Sequence, residues 1–282
     1  MDVIAIIPAR YGSTRLDGKP LLDIGGKPMV QWVYERAKKA KLVRDVLVAT
    51  DDKRVMSAVE RFGGKAVMTS SSHRSGTDRI AEAAKKLQGA RGKGQGAKHK
   101  IQDTDIIVNV QGDEPLIEPE MIDEAIKPLL AESSLLISTL KTKIANEEEL
   151  KDPNVVKVVT DREGFALYFS RYPIPYVRTG SQKSEVRSQK QDTHYKHIGL
   201  YVYRKDFLLK FAKMKPTPLE DAEKLEQLRA LENGYKIKVV QTKYNSIGVD
   251  TKEDLEKVRK IVERSQKSGV RSQNKNRFSS EF

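Results

Sequence analysis

Val3-Ile4-Ala5-Ile6-Ile7-Pro8 runs straight into Ala9-Arg10-Tyr11-Gly12-Ser13-Thr14-Arg15-Leu16-Asp17-Gly18-Lys19-Pro20. The first stretch is a short, unbroken apolar run, the pattern of a strand covered on both faces. The second carries Arg10, Arg15 and Lys19 with Gly12 and Gly18 between them. Ligands of open α/β sheets bind at the carboxyl ends of the strands, where this loop begins. Offsetting the charge of a nucleoside triphosphate takes several cations and backbone amides that approach closely, which glycine permits. The spacing is neither a P-loop nor a dinucleotide Gly-x-Gly-x-x-Gly. Three cations, two glycines and Ser13 in one loop point to triphosphate binding; a solvated basic turn is the plainer alternative.

Outward from this loop, short β-rich runs alternate with helical patterns. Pro28 suits the first position of a helix reaching about Ala40. Asp45–Thr50 reads as a second strand, with Asp51 or Asp52 capping the next helix. Lys65–Thr69 is a third strand, Ser75–Leu87 a helix, Asp105–Val110 a fourth strand, and Pro119 opens another helix. This alternation predicts α/β architecture with a mostly parallel, Rossmann-like sheet and flanking helices.

Beyond residue 140 the pattern changes. Val155–Thr160 and Phe165–Phe169 flank Asp161-Arg162-Glu163-Gly164 as a hairpin, and His197–Tyr203 reads as a strand. Thr217-Pro218-Leu219-Glu220 is a capping box opening a helix to about Leu231. Thr251 opens the last helix, with Leu255, Val258 and Val262 at helical spacing. Residues 1–264 are expected to form one domain: 1–140, a smaller hairpin-bearing part at 141–235, and a return to the core at 236–264. Residues 88–100 and 178–196 read as inserted mobile loops, and 265–282 as a disordered basic tail. Residues 181–189 and 265–273 agree at eight of nine positions (Ser-Gln-Lys-Ser-x-Val-Arg-Ser-Gln), a unit too short and polar for a solenoid repeat.

The net charge of +13 suggests nucleic acid at first sight. Residues 85–100, 178–196 and 265–282 together carry +12 of it, so the remaining body is close to neutral. Aromatic residues are 6% of the chain and absent from 85–100, against an aromatic-studded RNA surface. No nucleic-acid partner is expected. No apolar run reaches the roughly 18 residues of a membrane span. The start has neither the basic n-region nor the cleavage site of a signal peptide. There is no cysteine, which excludes disulfides, zinc-thiolate sites and cysteine nucleophiles and fits a cytoplasmic enzyme.

Pro-Ala-Arg-x-x-Ser-x-Arg-Leu-x-Gly-Lys-Pro-Leu (8–21) resembles the signature loop of the 3-deoxy-manno-octulosonate (Kdo) cytidylyltransferases. The resemblance continues through Val48–Asp51, Ser75–Arg79, Val108–Pro115, Ala166–Arg171, His197–Arg204, Leu225–Arg229 and Gly248–Thr251, in order along most of the chain. Asp17 stands where that family usually has Pro, which places an acid near the triphosphate. The two inserted segments have no counterpart in the family pattern.

The resemblance implies a nucleotide-diphosphosugar transferase type of fold. Its smaller part, 141–235, would serve sugar binding and dimerisation. It implies CTP and Kdo as substrates, Mg²⁺ as cofactor, a homodimer, and CMP-Kdo and pyrophosphate as products. CTP would lie on Pro8, Ala9, Arg10, Ser13, Arg15, Lys19, Ser75 and Gln111. Asp113, directly after the strand Asp105–Val110, and Asp250, after Ile247–Val249, are the candidate metal carboxylates. Each Asp alone would read as a turn or helix-cap residue; the family uses both positions as metal ligands. Lys19, Arg15, Asp113 and Asp250 are the candidate catalytic residues. Arg171 suits a sugar carboxylate. With Arg79, His197, Tyr201, Glu226 and Gln227 it would line the sugar pocket, an assignment that rests on the resemblance. No general base emerges. Another ulosonic acid, 8-amino-Kdo or sialic acid, is the alternative acceptor.

Overall fold

The computed structural model describes residues 2–12, 16–89, 105–178 and 193–278. Among them, nine strands form one sheet. β1 (Val3–Pro8) lies between β4 (Asp45–Thr50) and β6 (Ile106–Asn109), parallel to both. β5 (Ala66–Met68) extends the parallel set beyond β4. On the other side, β10 (Tyr195–Arg204) runs antiparallel to β6 and to β7 (Ile137–Lys143). β11 (Lys238–Gln241) closes that edge parallel to β7. A small separate hairpin, β2 (Asp23–Ile24) with β3 (Lys27–Pro28), follows the first loop. The expected mostly parallel sheet with flanking helices is present.

The period of two in β1 explains why both its faces are apolar. Val3, Ala5 and Ile7 join a core under α1 (Met29–Lys39) and α4 (Pro119–Ala131). Ile4 and Ile6 join the opposite core under α3 (Gly76–Gly89) and α6 (Lys205–Phe211). Between β4 and β5, α2 (Lys53–Arg61) is capped by Asp52, whose carboxylate accepts the Arg54 amide at 2.8 Å. A third cluster gathers Leu16, Ile24, Met29 and Val249 with Leu255, Val258 and Val262 of α9 (Lys252–Phe278). Each such side chain contributes roughly 1.5–3 kcal/mol on burial. The inner face of α9 thereby pins the 247–250 segment beneath the first loop.

The chain differs from expectation at four points. Pro28 precedes α1 rather than opening it, because it pairs with Asp23 in the small hairpin. The helix expected to run to Leu231 is two: α7 (Pro218–Glu223) and α8 (Leu228–Glu232). Lys224 between them is left-handed (φ 52°). Arg171 takes the Glu223 and Lys224 carbonyls, which a continuing helix would need for its own amides. The loop placed at 178–196 ends earlier, since Tyr195 and Lys196 pair with Lys143 and Thr142. The tail expected to be disordered continues α9 to Phe278: no proline interrupts it, and Gln266 donates to the Gly25 carbonyl at 3.3 Å. The hairpin around Asp161–Gly164 forms as β8 (Lys157–Thr160) and β9 (Ala166–Ser170), with Gly164 at φ 81°. Of the loop expected at 88–100, residues 88 and 89 continue α3 and the rest lies outside the described residues, as does the first copy of the nine-residue unit.

Candidate active site

The carboxyl ends of β1, β4 and β6 share one edge of the sheet, and a cavity of about 300 Å³ opens there. Pro8, Ala9, Arg10 and Lys19 form one wall. Gln111, Gly112 and Asp113 form the floor, Asp250 one rim, and His73 to Gly76 with Arg79 the opposite wall. The cavity thus gathers residues from positions 8 to 250, brought together by the parallel strands and by the packing of the 247–250 segment.

Lys19 is the centre of this arrangement. Gly18, left-handed at φ 63°, turns the chain so that a short 3₁₀ turn begins at Lys19. The Lys19 ammonium donates to Asp113 Oδ2 at 2.7 Å and to Asp250 Oδ1 at 3.0 Å. Burial alone would lower its pKa, but Asp113 and then Asp250 outweigh that and hold it above the usual lysine range. Lys19 is therefore a cation throughout the neutral range. The two carboxylate segments are tied through the backbone as well: the Val249 amide donates to the Asp113 carbonyl at 2.9 Å. Two carboxylates converging on one cation, open toward a cavity, form a donor set that fits a hard divalent ion completed by phosphate oxygens and water.

The walls are positioned by bonds that leave some side chains less free than the sequence suggests. Gln111 donates to the Gly199 carbonyl at 3.1 Å. Arg79 lines the cavity but is buried, its guanidinium held by Asp51 at 2.8 Å and Thr69 at 2.6 Å. It fastens the ends of β4 and β5. His73, Arg74 and Gly76 also line the cavity. Gly76 belongs to the Ser-Gly-Thr-Asp-Arg stretch already read as part of the site, whereas His73 and Arg74, just before it, have no place in the sequence-based site. Ser13 and Arg15 lie outside the described residues.

Beyond Ser75 a polar chain leads away from the cavity. Thr77 donates to the Glu226 carboxylate, and Arg229 approaches that carboxylate at 3.7 Å. Arg229 is itself held by buried Glu220 of the Thr217 capping box, Nε to Oε2 at 2.7 Å. Burial first, against Thr77 and Arg229, pushes the Glu226 pKa up. The rings of His197 and Tyr201 stand 5.2 Å apart, with Tyr203 stacked beyond at 5.8 Å. Their shared face survives a register shift between Ile198 and Tyr201. His197 Nε2 meets Thr139 Oγ1 at 2.9 Å, and burial pushes its pKa down to about 3, so the imidazole is neutral at working pH. Gln227 is buried at the start of α8. Arg171 stands apart. Its guanidinium donates to the carbonyls of Glu223 (2.6 Å), Pro153 (2.9 Å) and Lys224 (3.4 Å), and it does not line the cavity.

Glu114, next to Asp113, carries a testable consequence. Its Oε2 is shut off from water and has no hydrogen-bond partner among the described residues. Burial, and then the charge of Asp113, push its pKa from 4.5 up to about 7. The folded state therefore binds more protons than the unfolded state between those values, and stability falls as pH rises through that window. Glu114→Gln should flatten the fall in melting temperature between pH 5 and 7.5. The difference corresponds to at most about 3 kcal/mol. Identical pH profiles for the two proteins would contradict it.

Parallel strands that deliver a glycine-broken cationic loop and a carboxylate pair to one sheet edge define a nucleotidyltransferase of α/β type. The same fold is found in 4-diphosphocytidyl-2C-methyl-D-erythritol synthase from Anaerococcus prevotii, with TM-score 0.56 at 15% identity over 93% of this chain and 98% of that one. A family model described as cytidylyltransferase matches residues 4–237. The 3-deoxy-manno-octulosonate cytidylyltransferase of Geotalea uraniireducens is 61% identical over 260 residues, 92% of this chain and 98% of the relative. That of Geobacter metallireducens is 58% identical over 268 residues, 94% and 100% of the two chains. A solved structure of CMP:2-keto-3-deoxy-manno-octonic acid synthetase complexed with CTP superposes with TM-score 0.80 at 41% identity, over 94% of this chain and all of that one. The chain belongs to the cytidylyltransferase family, and within it to the 3-deoxy-manno-octulosonate cytidylyltransferases.

Proposed function

We propose that this chain transfers CMP from CTP to the anomeric hydroxyl of Kdo, giving CMP-Kdo and pyrophosphate for lipopolysaccharide biosynthesis. The observation that carries the reading is the Asp113–Lys19–Asp250 bridge at the floor of a cavity walled by the first loop. The triphosphate lies along Pro8 to Arg10 and Lys19, with the start of α3 opposite. Arg10 and Lys19 offset phosphate charge, with Arg15 from the same loop. Gln111, its amide oriented by the Gly199 carbonyl, faces the nucleotide. The anomeric hydroxyl attacks the α-phosphorus in line as pyrophosphate leaves, and these residues hold the reactants close enough to react.

Asp113 and Asp250 would hold Mg²⁺. Bound there, the ion supplies charge compensation on the phosphates and acidifies the attacking hydroxyl. On the sugar side, Glu226 offers an acceptor already fixed by Thr77 and Arg229, and neutral His197 and Tyr201 present polar atoms from β10. Arg171 serves this pocket by holding the turn that carries Glu226, or by releasing its carbonyls when the sugar carboxylate arrives.

Among the described residues no helix is long and apolar enough to cross a membrane. The reading places the enzyme in the cytoplasm as a homodimer. Exposed Tyr172 (77%), Tyr176 (90%) and Leu167 (62%), with a groove of about 770 Å³ between Ile144 and His194, support an interface on the hairpin side. Initial rates of pyrophosphate release with CTP and Mg²⁺ test the acceptor. Kdo should exceed 8-amino-Kdo and sialic acid by at least about tenfold in kcat/KM. A preference for either of the others would replace Kdo in this reading.

A further inference from the structure

The ammonium of Lys19 stands where a divalent cation would have to stand. It lies within 3.0 Å of an oxygen of each carboxylate, and those are the oxygens that converge on a single point. Its own side chain is 14% exposed, whereas Asp113 and Asp250 are 37% and 59% exposed toward the cavity. The lysine is thus the inner member of the group, and the carboxylates are held on it from the open side. Its backbone cannot retreat easily: left-handed Gly18 and buried Pro20 bracket it. The Gly18 Cα faces Tyr11 so closely that an added Cβ would come within 3.0 Å of the Tyr11 hydroxyl. Only the flexible four-carbon stem is free to swing, and a swing toward Pro8–Arg10 carries the charge to the wall where phosphates bind.

From this geometry we infer that Lys19 is a placeholder for the metal, which makes metal and nucleotide binding interdependent. The inference rests on the proposed metal-assisted reading of the same site. Without nucleotide, the ammonium satisfies Asp113 and Asp250 and excludes a divalent ion. The triphosphate offers it a stronger anionic partner, so it leaves the carboxylates, and the vacated pair accepts the ion. Each ligand therefore raises the affinity for the other, and by thermodynamic linkage the two enhancements are equal. The device offsets the charge of the carboxylate pair and keeps it from capturing an ion with no substrate present.

Manganese binding measured by the loss of the free-ion electron paramagnetic resonance signal tests this apart from turnover. Wild-type, Lys19→Met and Lys19→Arg proteins are titrated with Mn²⁺ alone and with CTP but no sugar. The separately measured Mn²⁺–CTP association is subtracted, and thermal melting checks the fold of each variant. The expected result is weak binding to nucleotide-free wild type, strengthened on the order of tenfold by CTP. Lys19→Met should bind Mn²⁺ about tenfold more tightly without nucleotide, and its enhancement by CTP should shrink by a matching factor. Lys19→Arg, which keeps a cation at the position, should exclude the ion as wild type does. Unchanged nucleotide-free affinity in Lys19→Met would overturn the inference. So would tighter binding with the CTP enhancement intact, because the lysine would then merely repel the ion. Absence of Mn²⁺ binding in every state would overturn the metal reading itself, and this inference with it.

Discussion

Asp113→Asn should lower kcat by about 10²–10³-fold at saturating CTP, Mg²⁺ and sugar while leaving the fold intact. The change removes one charge and no atoms of packing. The Asp113 side chain is 37% exposed, and its bond to Lys19 is a partly exposed ion pair, worth roughly 0–1 kcal/mol to stability. Its backbone carbonyl still receives the Val249 amide, so the 247–250 segment stays in place. The loss therefore falls on chemistry. One carboxylate is lost from the pair proposed to hold a divalent ion, and Lys19 is left with Asp250 alone among the contacts described for it. Pyrophosphate release and thermal melting, measured on the same preparation, check both halves. Near-normal turnover would remove Asp113 from the machinery, and a collapse in melting temperature would make its role structural.

Gly112→Ala should damage both stability and rate, although it adds a single methyl group at the residue before Asp113. A Cβ at residue 112 would lie 2.6 Å from the Pro8 carbonyl oxygen and 3.5 Å from Ile7 Cγ2. The obstacle is the backbone at the end of β1, which is locked in register between β4 and β6 and cannot yield as a side-chain tip would. Forcing such a contact costs typically 1–3 kcal/mol. The relief available is to push the Gly112–Asp113 turn outward. A shift of about 1 Å there can cost on the order of 10²-fold in rate. A drop of several degrees in melting temperature with an unchanged KM for CTP and a reduced kcat is the expected pattern. A variant as stable and active as wild type would show that this close approach is not required.

The sheet was legible because its strands are short, β-branched and separated by capped helices, and because β1 is apolar on both faces. The grouping of residues around the cavity was legible for a related reason. Arg10, Gln111 and Asp113 stand within four residues of a strand's carboxyl end, and Lys19 closes the loop that begins at Pro8, so the fold class alone places them near one edge. Asp250 was harder, since Val249 belongs to no strand and is held by the Asp113 carbonyl and the third core cluster. Only distance revealed that Lys19 bridges the two acids, because residues 19, 113 and 250 share no local pattern.

On the sugar side, local signals misled in a physical way. The Thr217 capping box correctly announces a helix start, but nothing in the residues that follow announces the break at Lys224. At that break the carbonyls are met by Arg171, which lies 53 residues away in sequence from Lys224. The same contact explains why Arg171, read as a free cation, is occupied by carbonyl groups. Arg79 follows suit: an arginine in a polar motif reads as a ligand, whereas its partner Asp51 closes the end of a neighbouring strand. His197 taken alone reads as a structural histidine, and no local pattern announces Phe169, Thr139 and Tyr201 around it.

The central claim is a phosphoryl transfer with defined bonds made and broken, and phosphorus magnetic resonance of one reaction mixture follows it directly. With CTP, Kdo and Mg²⁺, the three resonances of CTP should give way to one phosphodiester resonance of the sugar nucleotide and one of pyrophosphate, in equal amounts and only when Kdo is present. CTP that persists unchanged, or decays to CDP or CMP without a phosphodiester signal, would contradict the account.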